Sequence, residues 1–390
     1  MPRAILHLDL DAFFCAVEEQ RDPSLAGKAF AVGGRPEERG VVASCSYAAR
    51  QFGIHSAMPM SQALRRCPTL IIVSSHFAAY RAASVEVMAR LKALTPLVEQ
   101  ISIDEAFLDV TALETPGAVL AQQLQRVIRE ELALPCSLGV ASNKLVAKIA
   151  TDVGKAAAKT GTAPYALCVV PPGTEAAFLA PLPTRALWGI GPRTAERLAA
   201  QGIHTIGDLA RIPVLDLIRR FGKYGADLAK HARGEDERPI QVSHIAKSLS
   251  KEHTFAQDVQ EEPLLRQTLQ EQAGEVARAL QRKGFRGATI TLKLRWSDFT
   301  TLTRQMSLPT PTDQEASITS AALCLFEQTW QAGRPVRLIG VGVSGFKAES
   351  AQMSLWETLT PLEEKRQQVE AALAQVRARF GEEVVHWGQK

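Results

Sequence analysis

Apolar and polar residues alternate with two different periods along this chain, and the places where the period changes mark its elements. Ile5–Leu10 alternates as a half-buried strand does, which puts His7, Asp9 and Asp11 on one face. Residues 11–20 switch to helical spacing, with Phe13 or Phe14, then Val17, then acids. "AFAVGG" predicts a strand ending in a turn, and "SYAARQFG" a short helix stopped by Gly53. Residues 61–67 and 80–94 predict two more helices, the second halted by Thr95-Pro96. "LVEQISI" and "AFLDV" read as two strands meeting at Asp104 and Glu105, which places both acids at a hairpin on the sheet's rim. A long amphipathic helix over 118–132, the strand "CSLGVA" and a helix over 143–153 follow. This βαββαβ-like order predicts a mixed sheet covered by helices.

Proline and glycine cluster between 164 and 192, a plausible domain boundary. Short helices with glycine turns then run to about Gly234, and a charged link, "RGEDERP", follows. Residues 244–347 predict a helix over 263–283 between strands. In one of these, Ile290, Leu292, Leu294 and Trp296 alternate with Thr291, Lys293, Arg295 and Ser297, giving one core face and one basic face. The tail holds "QMSLW" and a further helix over 361–379.

At 390 residues the chain is too long for one core and should divide into two or more domains. No apolar run is long enough to span a bilayer and no signal segment opens the sequence; with scattered thiols that suit a reducing cytoplasm, a cytoplasmic protein is predicted, and a monomer is expected. Six cysteines without a CxxC pair argue against a disulfide framework or a zinc site. The net charge is +4, and it is not spread evenly. Acids and bases balance over residues 1–180, whereas 278–304 carries seven basic groups, including Lys293, Arg295 and Arg304, against Asp298 alone. Such a stripe suits a polyanion, a solvated face being its ordinary alternative.

Candidate chemistry starts from the acids. Asp9 on one strand with Asp104 and Glu105 on the next hairpin could converge at one sheet edge, where three carboxylates repel unless divalent cations bridge them. Oxygen-only ligation suits Mg²⁺ or Mn²⁺, and a pair of such ions is the usual clamp for displacement at phosphorus. Tyr47 and Arg50 lie three apart on one helix face and, with Ser44, offer hydroxyls and a guanidinium to a phosphate chain. Lys144, Lys148 and Lys155 lie near helical spacing and could act likewise. "LWGIGPRTAERL" has the pattern of a helix-hairpin-helix, whose turn at Gly189 and Gly191 presents backbone N–H groups to a phosphate, with Arg193 adding charge.

"LHLDLDAFFCAVEE", "SYAARQFGIHSAMP", "SIDEAFLDV", "SLGVASNKLVAKIATD" and "LWGIGPRTAERL" occur in an order and spacing that resemble the Y-family DNA polymerases, most closely the DinB, or DNA polymerase IV, branch. The resemblance implies an α/β right-hand fold: palm 1–11 and 75–165, fingers 12–74, helix-hairpin-helix thumb 166–234, linker 235–243, little finger 244–347 and a tail 348–390. It implies that Asp9, Asp104 and Glu105, with the Leu10 carbonyl, hold two Mg²⁺, for which Mn²⁺ substitutes. It makes Phe14 the steric gate against a 2′-OH, with Phe13 in the core. Tyr47, Arg50 and Lys155, with Ser44, become the triphosphate set, and Ala43 covers the nascent base pair. The family usually follows the lysine with a Pro-Asn-Gly turn, which this chain lacks, so Lys159 rivals Lys155 for that role. Gln352, Leu355 and Trp356 resemble a sliding-clamp peptide. The implied activity is templated transfer of dNTPs to a primer on DNA in low-fidelity translesion synthesis, without proofreading. Two rivals are a DNA-binding accessory that has lost catalysis, which would lack a carboxylate, and a nucleotidyl cyclase, which would need no DNA-binding modules.

Overall fold

In the computed structural model, residues 2–158, 162–243 and 245–347 are described. Strand β1 (Ile5–Leu10) turns sharply into helix α1 (Phe13–Arg21) through Ala12, whose φ is 47°. Strands β2 (Phe30–Gly33) and β3 (Val42–Cys45), helices α2 (Tyr47–Arg50) and α3 (Met60–Arg66), and strand β4 (Ile71–Val73) follow. The three strands form a small sheet in the order β3-β2-β4, with a core of its own around Ala31, Val42, Met58 and Met60.

The chain then returns through α4 (Phe77–Leu94), β5 (Val98–Gln100), β6 (Glu105–Asp109), α5 (Gly117–Leu132), β7 (Cys136–Ala141), α6 (Lys144–Ala157) and β8 (Leu167–Val169). With β1 at its centre, this gives a five-stranded sheet ordered β5-β6-β1-β7-β8. Helices α7 (Glu175–Leu179), α8 (Pro192–Ala199), α9 (Ile206–Ala210), α10 (Val214–Phe221) and α11 (Lys223–Ala232) make a helical unit. The last unit is β9 (Ser248–Val259), α12 (Glu262–Lys283), β10 (Arg286–Trp296), β11 (Thr301–Thr312), α13 (Glu315–Thr329) and β12 (Val336–Lys347), a four-stranded sheet ordered β11-β10-β12-β9 with both helices on its apolar face.

Several boundaries differ from the periodicity, and at the following ones the cause is plain. Helix α4 begins at Phe77, not residue 80, because Phe77 and Tyr80 join an aromatic cluster around Phe14. Strand β5 ends at Gln100, since the backbone at Ile101 and Ser102 turns to donate to the Glu105 carbonyl. Helix α6 runs on to Ala157, a turn past expectation, and carries Lys155 in its last turn.

Strand β1 has two unlike faces. Leu6, Leu8 and Leu10 belong to the core that includes Val87 and Leu91 of α4 and Leu120 and Leu124 of α5. The other face carries His7 and Asp9. The antiparallel register sets His7 opposite Phe107 and Gly139, and Asp9 opposite Glu105 and Ser137, so these side chains share one face. Helix α6 covers that face. It comes so close that a Cβ on Gly139 would stand 2.0 Å from the Ala147 carbonyl oxygen and 2.7 Å from the Thr151 nitrogen. Glycine is therefore what allows α6 to lie on the acids.

The units are also tied together. Glu99 and Lys144 form a buried ion pair at 2.6 Å, and Glu99 also accepts from the Gln241 backbone, 2.8 Å away. Asp236 accepts from the Leu145 N–H at 3.0 Å, and Arg238 pairs with Asp236 while lying over Trp188. The segment after α11 is thus fixed to the start of α6. Arg39 in the loop between β2 and β3 meets Asp258 of β9 at 2.6 Å.

Gly139→Ala should force α6 away from the sheet and cost about 3 kcal/mol, the upper end of overpacking penalties. A lowered urea midpoint with unchanged slope is expected; an unshifted midpoint would show that the contact relaxes freely.

Candidate active site

Two lysines of α6 stand over the acids of the sheet. Lys148 Nζ donates to both Glu105 carboxylate oxygens at 3.0 Å. Lys155 Nζ lies 2.5 Å from Asp9 Oδ1 and 3.0 Å from Asp11 Oδ1. Asp11, just past β1 and wholly buried, also accepts from the Ser137 hydroxyl at 2.9 Å. The spacing of seven residues, about two helical turns, is what brings both lysines to one side of α6.

Asp104 sits in the hairpin rather than in a strand. Ser102 Oγ donates to its carboxylate at 2.5 Å and accepts from the Asp104 and Glu105 backbones at 3.2 and 3.0 Å, which fixes the turn. The Leu10 N–H donates to the Asp104 carbonyl at 3.0 Å, so Asp9, Leu10, Asp104 and Glu105 lie at one end of adjacent strands. The three expected carboxylates stand at that one end, each with its own partner. Among the described residues no three His, Cys, Asp or Glu side chains are placed to hold a metal ion. Bare carboxylates repel, and here Glu105 and Asp9 turn to lysines and Asp104 to a hydroxyl.

The electrostatics follow from burial. Desolvation raises the Asp9 pKa against the opposing pull of Lys155, and the Asp11 pKa rises for the same reason. Burial alone would lower Lys155, but the charges of Asp9 and Asp11 outweigh it and hold the ammonium protonated. His7 is pushed well below its usual value, chiefly by burial and then by Lys148 and Lys155, and is neutral. Asp152, between the two lysines on α6, is raised by burial. Its place there was visible in the spacing of 148, 152 and 155, yet only the lysines drew attention. The donors fit a hard divalent cation: all are oxygens, two oppose each other across strands, and positive charge already sits where a cation would.

Around this centre, Phe14 is half-buried and stacks on Tyr80, with centroids 4.3 Å apart and planes 12° apart. Tyr80 is itself buried and donates to the buried Glu18 at 2.5 Å. Phe13 is in the core. Arg50 lies over the Tyr47 ring at 4.5 Å, and burial pushes the Tyr47 hydroxyl up to about 12, with Asp11 and Lys155 near enough to act on it. Ala43 is exposed beside them, whereas Ser44 is buried and its hydroxyl is 3.6 Å from the Cys15 thiol. Lys144 contradicts the triphosphate expectation: it is buried against Glu99, so its charge is consumed inside the fold.

Gly189, with φ of 99°, and Gly191 are exposed at the turn into α8, as is Arg193. A Cβ at Gly191 would meet open space, so no packing contact requires glycine there. On the polar face of the C-terminal sheet, Lys293 pairs with Glu252 at 2.7 Å and Arg295 donates to Thr301, while Arg304 extends from β11. Lys159, Gln352, Leu355 and Trp356 lie outside the described residues. No described helix is long and apolar enough to cross a membrane.

Comparison with known proteins meets this geometry. The impB/mucB/samB family model matches residues 8–152, its C-terminal-domain model residues 246–355, and the model described as the DNA polymerase-iota thumb domain residues 185–236. A DNA polymerase IV of Halorhodospira halophila is 41% identical over 92% of this chain and 99% of its own length. One from Methanoculleus marisnigri is 44% identical over 88% of this chain and 94% of its own. A solved Y-family DNA polymerase chimera, Dbh-Dpo4(243-245)-Dbh, superposes with a TM-score of 0.77 at 26% identity, over 88% of this chain and 99% of that one. The chain belongs to the Y-family DNA polymerases, in the DNA polymerase IV branch.

Lys155→Met should leave Asp9 and Asp11 without their cation at a cost of about 3 kcal/mol. A carboxyl whose folded pKa is raised destabilises wherever it is ionised, so the loss grows as pH climbs above about 4 and recedes in acid. Urea midpoints at pH 5 and pH 8 check this: the variant should fall further below the parent at pH 8.

Proposed function

We propose that this chain extends a DNA primer by copying a template, with Asp9, Asp104 and Glu105 as its metal-holding acids, and that it does so in translesion synthesis. The observation that carries the reading is the pairing of Asp9 with Glu105 across adjacent strands, with Asp104 in the hairpin just before Glu105, in a chain of this family. The Leu10 carbonyl would join these acids in holding two Mg²⁺. Bound there, such ions supply a lowered pKa at the primer 3′-OH and charge for the triphosphate and leaving pyrophosphate.

The protein's own residues do the remaining work. Lys148 and Lys155 hold the carboxylates in place beforehand, Lys155 working against the upward push of burial on Asp9 and Asp11, and both are freed as positive charge when the acids take divalent ions. Lys155, with Arg50 and Tyr47, then faces the triphosphate at the open side, where exposed Ala43 leaves space over the nascent base pair. Phe14, stacked flat on Tyr80, would serve as the gate against a ribose 2′-OH. Positioning of this kind, more than a strong base, supplies the rate.

DNA is held by charge without sequence readout. The Gly189–Gly191 turn with Arg193 presents donors to one phosphate run, and Lys293, Arg295 and Arg304 track another. In this reading the five-stranded unit is the palm, which runs past the expected residue 165 because β8 pairs with β7; 12–74 are the fingers, the chain after β8 to 234 the thumb, and 244–347 the little finger. The segment 352–356 docks to a sliding clamp in the cytoplasm.

Primer extension on primed DNA with Mg²⁺ tests both activity and gate. The parent should use each templated dNTP and reject the matching rNTP, and Phe14→Ala should raise rNTP use by at least about tenfold, a modest steric barrier of 1.4 kcal/mol. Unchanged discrimination would remove Phe14 from the gate; no templated extension by folded parent would remove the reading.

A further inference from the structure

His7 lies under α6 on the acid-bearing face with no exposed surface, its ring against Phe107 with centroids 4.8 Å apart. Its Nδ1 is 2.9 Å from Thr151 Oγ1. Its Nε2 has no hydrogen-bond partner and faces Glu105 Oε2 across 4.0 Å. That gap is too wide for a hydrogen bond. A buried polar atom is seldom left unpaired unless it has a task, and here the unpaired atom looks at an acid of the active site.

The tautomer follows from counting protons. A neutral imidazole has one N–H, and Thr151 has one hydroxyl proton, within reach of Nδ1 and of the His7 and Ala147 carbonyls, both 3.2 Å away. If Thr151 gave its proton to a carbonyl, the ring proton would sit on Nδ1, and Nε2 would aim a lone pair at a carboxylate. If Thr151 gives it to Nδ1, the ring proton sits on Nε2 and points at an acceptor. The charge of Glu105 selects the second arrangement.

We propose that His7 is a positioning residue, which donates its Nε2–H to Glu105 once Lys148 lets that carboxylate go. At present Lys148 holds both Glu105 oxygens. A movement of about 1 Å toward the imidazole closes the gap to an ordinary hydrogen bond. The carboxylate then exchanges one donor for another and keeps a fixed orientation while its charge faces a divalent ion. This is how donors behind metal-binding carboxylates act, and their loss costs about tenfold or more in affinity. The inference rests on Glu105 being one of the metal-holding acids.

Two substitutions separate the two ring nitrogens, because the Gln amide reaches the Nε2 position and the Asn amide only the Nδ1 position. Mn²⁺ dissociation constants would be read by electron paramagnetic resonance on each variant with primed DNA ending in a dideoxynucleotide, so that no turnover is needed. His7→Gln should bind Mn²⁺ within about threefold of the parent, and His7→Asn about tenfold more weakly. Equal affinities in all three proteins would make His7 a core spacer and overturn the proposal. Equal weakening in both variants would overturn donation from Nε2, since Gln restores that donor. Should either variant fail to fold, ¹⁵N NMR of the parent with primed DNA reads the tautomer directly: an Nε2–H that moves on Mg²⁺ addition is expected, and a ring protonated at Nδ1 alone would overturn the proposal. Glu105→Gln serves as the control. If it leaves Mn²⁺ binding unchanged, the metal-holding reading fails, and not the part given to His7.

Discussion

Everything at the active end of this protein depends on keeping carboxylates charged where water is scarce. An isolated buried carboxylate neutralises itself or unfolds its surroundings. One ammonium, Lys155, meets Asp9 and Asp11 and opposes the upward push of burial on them, and another, Lys148, pairs with Glu105. Both lysines come from a single helix, so the charge balance is also a packing requirement: α6 must lie flat on the sheet. Gly139 permits it, and the Asn143 side chain, which accepts from the Val146 N–H, starts the helix at the right place.

The same helix connects the site to the rest of the molecule. Its first residue, Lys144, is buried against Glu99, whose carboxylate also receives the Gln241 backbone. Leu145 donates to Asp236. The segment leaving the helical unit is therefore anchored to the helix that orders the acids. Breaking such a buried pair by removing one partner is far costlier than losing a surface ion pair. At the opposite side of the site, the Phe14–Tyr80–Glu18 stack fixes a flat aromatic wall by burial and one hydrogen bond.

Much of this was legible in the sequence, for physical reasons that differ by residue. Period-two alternation in Ile5–Leu10 and the acids after "ISI" exposed a strand pair with carboxylates at its end, because strand faces are set by local geometry. The alternation of Ile290 to Trp296 gave the C-terminal sheet its core face for the same reason. What stayed hidden depends on distant partners. Lys144 looks like Lys148 in the sequence, yet one is consumed by Glu99 and the other faces Glu105. Asp152 and His7 gain meaning only when α6 is laid on β1. The start of α4 at Phe77 likewise depends on an aromatic cluster assembled from another part of the chain.

The most direct measurement is primer extension on a primed template with Mg²⁺ and each dNTP, comparing the parent with a folded Asp104→Ala plus Glu105→Ala variant. The account predicts templated extension by the parent and none by the variant, with DNA binding retained by both. Extension by the double variant, or its absence in a folded parent that still binds primed DNA, would contradict it.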